Sequence, residues 1–239
     1  MICGGTGVVA TQNRSPGNRY RKKQPASQIS VFKLLEARPK ARLEALSDSI
    51  FAVAMTLLVL DIKLPPLPQE VAPDQLLAAL FDLWPKAGAF IISFFFLAKT
   101  WDVHRLIFHS LERVDYTIFV ENLLLLLFAC GLPFSSSLIA AHPHAGIAAA
   151  IYLGNMIALP CLNYAMWNHA TRGYQLVRKD FDPAVVEWFV RNHQLVIAVY
   201  LVAFPIAYFN SALSVLWIFL FQIVMHILPF ASKELAGSN

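Results

Sequence analysis

The chain has 239 residues, 57% of them hydrophobic and only 14% charged, with a mean hydropathy of +0.56 and a formal net charge of +4. A soluble domain carries about 25% charged residues, so this composition excludes an ordinary soluble enzyme and a disordered chain. Eleven of the thirty-four charged residues fall in the first 44 positions, and the basic ones flank apolar runs, which points to membrane topology and away from nucleic acid as a partner.

In chain order, residues 1–30 read as a disordered basic tail, and Val31 to Ala45 as a helical lead-in lying at the membrane surface. The tail is no signal peptide, because its basic residues follow its short apolar part instead of preceding it. A first span runs from Leu46 to Leu64 and is stopped by Pro65-Pro66, which cannot donate helix hydrogen bonds. Residues 67–84 give a short loop and an amphipathic helix, with Leu76, Leu77, Leu80, Phe81 and Trp84 at helical spacing. The second span is expected over Pro85–Val103, the third over Thr117–Ala141 and the fourth over Ile147–Trp167. A polar stretch with Arg172, Arg178, Lys179 and Arg191 precedes a fifth span, Gln194–Phe209, and a sixth, Ala212–Phe230. Each is close to the roughly 20 residues that cross a hydrocarbon core of about 30 Å. Pro133, Pro160 and Pro205 predict local kinks.

The fold class is therefore an all-α integral membrane protein, with a six-helix domain over 31–232 and a short cytoplasmic tail over 233–239. Lysine and arginine concentrate in the tail and in the connections on its side, against Lys63 and Lys86 on the other. The positive-inside rule then places both termini in the cytoplasm of a multi-pass cell-membrane protein. Cys3, Cys130 and Cys161 form no metal-binding or disulfide pattern and read as buried free thiols. No cofactor is expected.

Ionisable residues within spans are costly and face protein or a water-filled path, which makes the first span the informative one. At about 100° per residue, Ser49, Val53, Thr56 and Leu60 share one narrow face, and Asp48 lies about 140° from Val53. If the Val53 face lines a pathway, Asp48 points into the bundle. Ser47, Asp48, Trp101, His104 and Asn122 could then meet near the cytoplasmic ends of the first three spans. Such a network would fix the first helix in one rotation; a gate or proton path through Asp48 and His104 is the competing reading. The six-residue spacing from Arg42 to Asp48 leaves their pairing open. The apolar stripe also has an ordinary reading as packing, with the Thr56 hydroxyl bonded to a carbonyl of the preceding turn.

The segment Arg42–Asp48 resembles the Arg-x-x-x-Phe-Ser-Asp signature of the transmembrane protein 175 family, the endolysosomal potassium channel and its prokaryotic relatives. The likeness continues through FAVAMTLLVLDIKLP, Ser93-Phe94, Trp101-x-x-His104, Asp115, Asn122-Leu123 and Pro133-Phe134. Leu46 stands where the family has Phe, and Arg105 where a second His would follow His104. The resemblance implies a potassium-permeable channel without a filter loop, built as a homotetramer of six-span subunits with the first helix of each lining the pore. Val53 then matches the innermost apolar ring, Thr56 a hydroxyl ring where the permeating potassium ion would meet oxygen, and Leu60 the outer apolar ring. Membrane lipid and potassium are the remaining partners, with no other metal.

Other patterns carry less. Thr171-Arg172-Gly173-Tyr174 is a chance likeness to a filter sequence, and Ser135-Ser136-Ser137 reads as a loop at a helix end, without the nucleophile elbow of a hydrolase. Asp61 and Lys63 stand near the outer mouth. No convergent catalytic set exists, so the chain is not expected to be an enzyme. A proton-permeable channel or a proton-coupled secondary transporter is the alternative function, although a transporter would show internal repeats and none is visible.

Overall fold

The computed structural model describes residue 4, residues 40–67, 71–174, 176–178 and 183–210, and scattered positions from 213 to 224. Apart from residue 4, the predicted tail over 1–30 lies outside the described residues, as do the lead-in up to residue 39 and the tail from 233. The described helices are α1 (Lys40–Leu57, tightening to a 3-10 turn over Leu58–Asp61), α2 (Pro73–Phe81), α3 (Trp84–Ser110), α4 (Tyr116–Ala141), α5 (Gly146–Thr171) and α6 (Pro183–Phe209). Described positions after 212, including Leu216–Ile218, are helical. Much of the predicted sixth span lies outside the described residues.

Four stretches are long and apolar enough to cross a membrane: Lys40–Asp61, Tyr116–Ala141, Gly146–Thr171 and Val186–Ala207. A fifth comes from α2 and α3 taken together, with a bend of 44° between them. The third and fourth spans were placed to within a few residues. The helix of the predicted fifth span, Gln194–Phe209, is longer than expected because α6 begins at Pro183, eleven positions before Gln194, where a proline at the first helical position has its φ already set. The first span ends earlier than expected. Its last turn is the 3-10 segment, and a tight turn at Ile62, with Lys63 N donating to Asp61 O at 3.0 Å, leads into Pro65-Pro66.

Helix α4 occupies the middle, packed against α1, α3 and α5, and α5 in turn packs on α6. In lipid, leucine gains little from leaving the solvent, so such contacts rest on close packing and on hydrogen bonds between helices. Both are visible. A Cβ on Gly131 would meet Asn155 Nδ2 at 3.3 Å, so the small residue lets α4 and α5 approach. Ser135, Ser136 and Ser137 are not a terminal loop but lie inside α4, the first two buried. Ser93 Oγ donates to Ser136 Oγ at 2.9 Å and lies 3.0 Å from the Tyr152 hydroxyl, while Asn155 Nδ2 donates to Ser135 Oγ at 3.1 Å. Ser137 Oγ donates to Asp61 Oδ1 at 2.7 Å, which ties the 3-10 turn after α1 to α4.

Pro133, Pro160 and Pro205 each sit inside a helix that continues past them. His193 is buried within α6, where its Nδ1–H donates to Phe189 O at 3.0 Å. Its ring stacks on Phe189, which stacks on Trp167 of α5. The thiol expectation needs correction: Cys130 is exposed and Cys161 half-buried. On membrane helices a small apolar thiol is at ease facing outward. Thr171-Arg172-Gly173-Tyr174 ends α5 in a 3-10 turn, and the φ of 64° at Gly173 is one that glycine adopts without strain. Beyond that turn, Glu112 N donates to Leu176 O at 2.8 Å and Arg178 N to Ser110 O at 3.2 Å, an isolated antiparallel bridge between two connecting segments.

Asp115 caps α4 by accepting the Ile118 N–H at 2.9 Å, and its Oδ2 accepts from His169 Nε2 at 2.7 Å. Partial burial pushes its pKa up, but the Ile118 N–H and the His169 side chain outweigh this and hold the carboxyl below its ordinary value. A depressed folded pKa contributes stability above the unfolded value of about 4, lost as pH falls through the folded one. Resistance to thermal unfolding is therefore expected to fall below about pH 4. Asp115→Asn, which keeps a good cap acceptor, should show a smaller acid-side loss. An unchanged pH profile in that variant would remove Asp115 from the effect.

Candidate functional site

Helix α1 has two faces with opposite environments. Leu43, Ser47, Phe51, Ala54 and Leu58 are buried and recur within about 40° of Ser47 on the helical wheel. Ser49, Val53, Thr56 and Leu60 lie on the opposite side and are all exposed, Val53 at 56% and Leu60 at 59%. The chain thus leaves this face of α1 uncovered on the side away from its own core.

Both hydroxyls on that outward face satisfy their protons locally. Ser49 Oγ donates to Ala45 O at 2.7 Å and Thr56 Oγ1 to Val53 O at 2.8 Å. The back-bonding of the ordinary reading is therefore present. It also leaves the hydroxyl oxygens with outward lone pairs, which are acceptor sites for a cation.

Behind this face, α1 is fixed by a buried polar triad. His104 Nε2 of α3 donates to Asn122 Oδ1 of α4 at 2.7 Å, Asn122 Nδ2 donates to Ser47 Oγ at 3.1 Å, and Ser47 Oγ donates to Leu43 O at 2.9 Å. In this order every donor has one acceptor. All three side chains are almost fully buried, and the His104 ring lies between Phe51, at 5.7 Å, and Phe108, at 4.4 Å. A half-satisfied network here would be costlier than an apolar one, so the triad selects one rotation of α1 against α3 and α4.

The predicted five-residue cluster divides in two. Asp48 does not point into the bundle: it is exposed and accepts from Trp101 Nε1 at 2.8 Å, at the rim of the triad. Ser47 holds the inward position, and Asp48, about 100° round the helix, reaches the indole at the edge of the α1–α3 contact. Arg42 is exposed and makes no ion pair with Asp48. Leu46 is exposed too, so the side chain standing where the family has Phe lies outside the core. Arg105 pairs with Asp102 at 2.9 Å and sits over the Trp101 ring at 5.7 Å, an exposed role unlike that of His104.

Sequence reasoning missed three contacts. Lys40 Nζ donates to Leu111 O at 2.8 Å, His169 pairs with Asp115, and Ser137 binds Asp61. Only the last had a signal, a carboxylate at the end of a span with a serine-rich segment elsewhere to receive it.

A family model described as the endosomal/lysosomal potassium channel TMEM175 matches residues 42–133. A potassium channel of Chamaesiphon minutus is 35% identical over 183 residues, covering 75% of this chain and 90% of that one. The chain belongs to the TMEM175 family. The crystal structure of a lysosomal potassium-selective channel TMEM175 homolog from Chamaesiphon minutus matches with a TM-score of 0.69 at 33% identity, over 79% of this chain and 96% of that chain. The TMEM175 of Mus musculus, named an endosomal/lysosomal proton channel, is 32% identical over 134 residues, covering 52% of this chain and 27% of its own length. Membership places the chain among ion channels and not enzymes, and with its apolar helices makes it a multi-pass membrane protein. The part matched by the TMEM175 model contains both faces of α1, the triad and the Asp48–Trp101 bond; α5 and α6 lie beyond it.

Proposed function

We propose that this TMEM175 member is a potassium-permeable channel of the cell membrane, a homotetramer of six-span subunits with both termini in the cytoplasm. Four α1 helices surround the axis, and ions move passively without a cofactor. The observation that carries the reading is the division of α1: one face is held by the Ser47–Asn122–His104 triad, and the opposite face is left uncovered by its own chain. Four copies of that face around an axis put rings of Val53 and Leu60 at narrow apolar constrictions, where an ion must shed water to pass. Between them a ring of Thr56 offers hydroxyl oxygens whose protons are already engaged. Potassium sheds water more readily than sodium, so the pore favours potassium, although without a carbonyl cage.

The name of the murine relative is a reason to measure protons in the same preparation. Purified protein in a planar bilayer, with potassium on one side and sodium on the other, is expected to give a reversal potential displaced toward potassium. Reversal at zero would remove selectivity. Silence with proton-driven solute uptake in liposomes would favour a transporter. Thr56→Ala is expected to bring the reversal potential closer to zero while current persists; an unchanged potential would take Thr56 out of the selective step. The mass of the detergent-solubilised protein tests the tetramer, since a monomer has no axis to line.

A further inference from the structure

Helix α2 turns its apolar side away from the protein. Leu76, Leu77, Leu80 and Phe81, with Trp84 where α3 begins, fall within an arc of about 140°, and all five are exposed, Phe81 at 72% and Trp84 at 71%. The buried residue of α2 is Ala79, outside that arc. Bathed in water, an amphipathic helix faces its leucines to the core; here a single alanine does so, while Gln75 and Asp82 are exposed opposite the arc and Asp74 at its edge, about 20° from Phe81.

What covers the arc follows from the strip that continues it. Trp84, Ile91 and Phe95 share one exposed face of α3. That face ends on the ion group in which Asp102 meets Lys99 at 4.0 Å and Arg105 at 2.9 Å. From position 84 to position 99 the helix rises about 22 Å. An apolar strip of that length, with an aromatic residue at one end and charges at the other, covers most of the roughly 30 Å hydrocarbon layer. The α2 arc adjoins its aromatic end, at the 44° bend where the chain departs from the spanning direction.

We propose that α2 is an interfacial membrane anchor, its apolar arc sunk in the boundary between lipid headgroups and acyl chains and its Gln75–Asp82 side turned to water. The partner is the lipid surface, without preference for anionic headgroups, because the charges beside the arc are acidic. Through the two-residue junction Asp82–Leu83, the anchor sets the depth at which α3 enters the bilayer.

The test uses the full chain, with Cys3, Cys130 and Cys161 replaced by alanine, reconstituted in phosphatidylcholine vesicles. Nitroxide labels are placed singly at Phe81→Cys and, on the opposite side of α2, at Gln75→Cys, both exposed sites whose replacement opens no core. Oxygen, which concentrates in lipid, is expected to relax the label at position 81 more strongly than a water-soluble nickel chelate does, with the reverse at position 75. Two results would overturn the proposal. A label at 81 open to the chelate places α2 in water, and one shielded from both agents means that protein, such as a second copy of the chain, covers the arc.

Discussion

Asn122→Ala is expected to destabilise the protein by about 2 kcal/mol, the range for a buried donor left without its acceptor, and to weaken the hold on α1. The side chain is the centre of the triad, accepting from His104 at 2.7 Å and donating to Ser47 at 3.1 Å. Ser47 keeps its bond to Leu43 O, so the uncompensated group in the variant is the His104 N–H, fully buried beside Phe51 and Phe108. Hydrogen bonds between membrane helices average only about 0.6 kcal/mol when lost singly. The larger value follows because this removal strands a buried partner without an acceptor. Asp48→Asn is the matched comparison: its bond to Trp101 lies at an exposed rim, and a change within about 0.5 kcal/mol is expected there. Thermal unfolding in detergent and the fraction that stays oligomeric are the measurements. Equal losses in the two variants would mean that the distinction between buried triad and exposed rim carries no energetic weight.

Val53→Asn is expected to raise potassium flux severalfold while leaving unfolding unchanged. At 56% exposed, Val53 holds no place in the chain's own core, so substitution opens no cavity. In the proposed tetramer the same side chain appears four times around the axis, and replacing four isopropyl groups by carboxamides would turn a constriction that expels water into one that holds it. Flux from potassium-loaded liposomes reads this directly. Wild-type flux from a correctly folded Val53→Asn protein would place the narrow, dewetted point elsewhere on α1 or remove α1 from the pathway.

The course of α1 was legible in the sequence because its two faces differ in kind. The outward set Ser49, Val53, Thr56 and Leu60 and the inward Ser47 could be separated by angle alone, and the structure keeps them on opposite sides. Asp48 was misplaced for a physical reason: a wheel gives the direction of a Cβ, not whether an indole N–H will be found at the flank before a partner is found inside. Trp101 and His104 are three residues apart on one helix, yet they bind different groups, one at the rim and one in the core. The serines at 135–137 were misread because serine in a soluble chain favours turns, whereas between membrane helices a hydroxyl is a means of joining one helix to the next. The bridge between the two connecting segments left no trace in the sequence. It joins main-chain groups, and nothing in side-chain patterning announces it.

That bridge bears on the order in which the chain assembles. Leu111 and Val177 are separated by the whole of α4 and α5, so its two hydrogen bonds can form only after both helices have been synthesised and returned their ends to the same side. The Leu111 carbonyl, which the bridge leaves unused, accepts from Lys40 at the start of α1, a contact that the growing chain can make as soon as α3 is complete. Closure of the α1–α3 unit therefore precedes the latch that brings in the second half. An early-stalled chain would already hold α1 and α3 in register, yet lack the strap between residues 110–112 and 176–178 that commits α5 to its place.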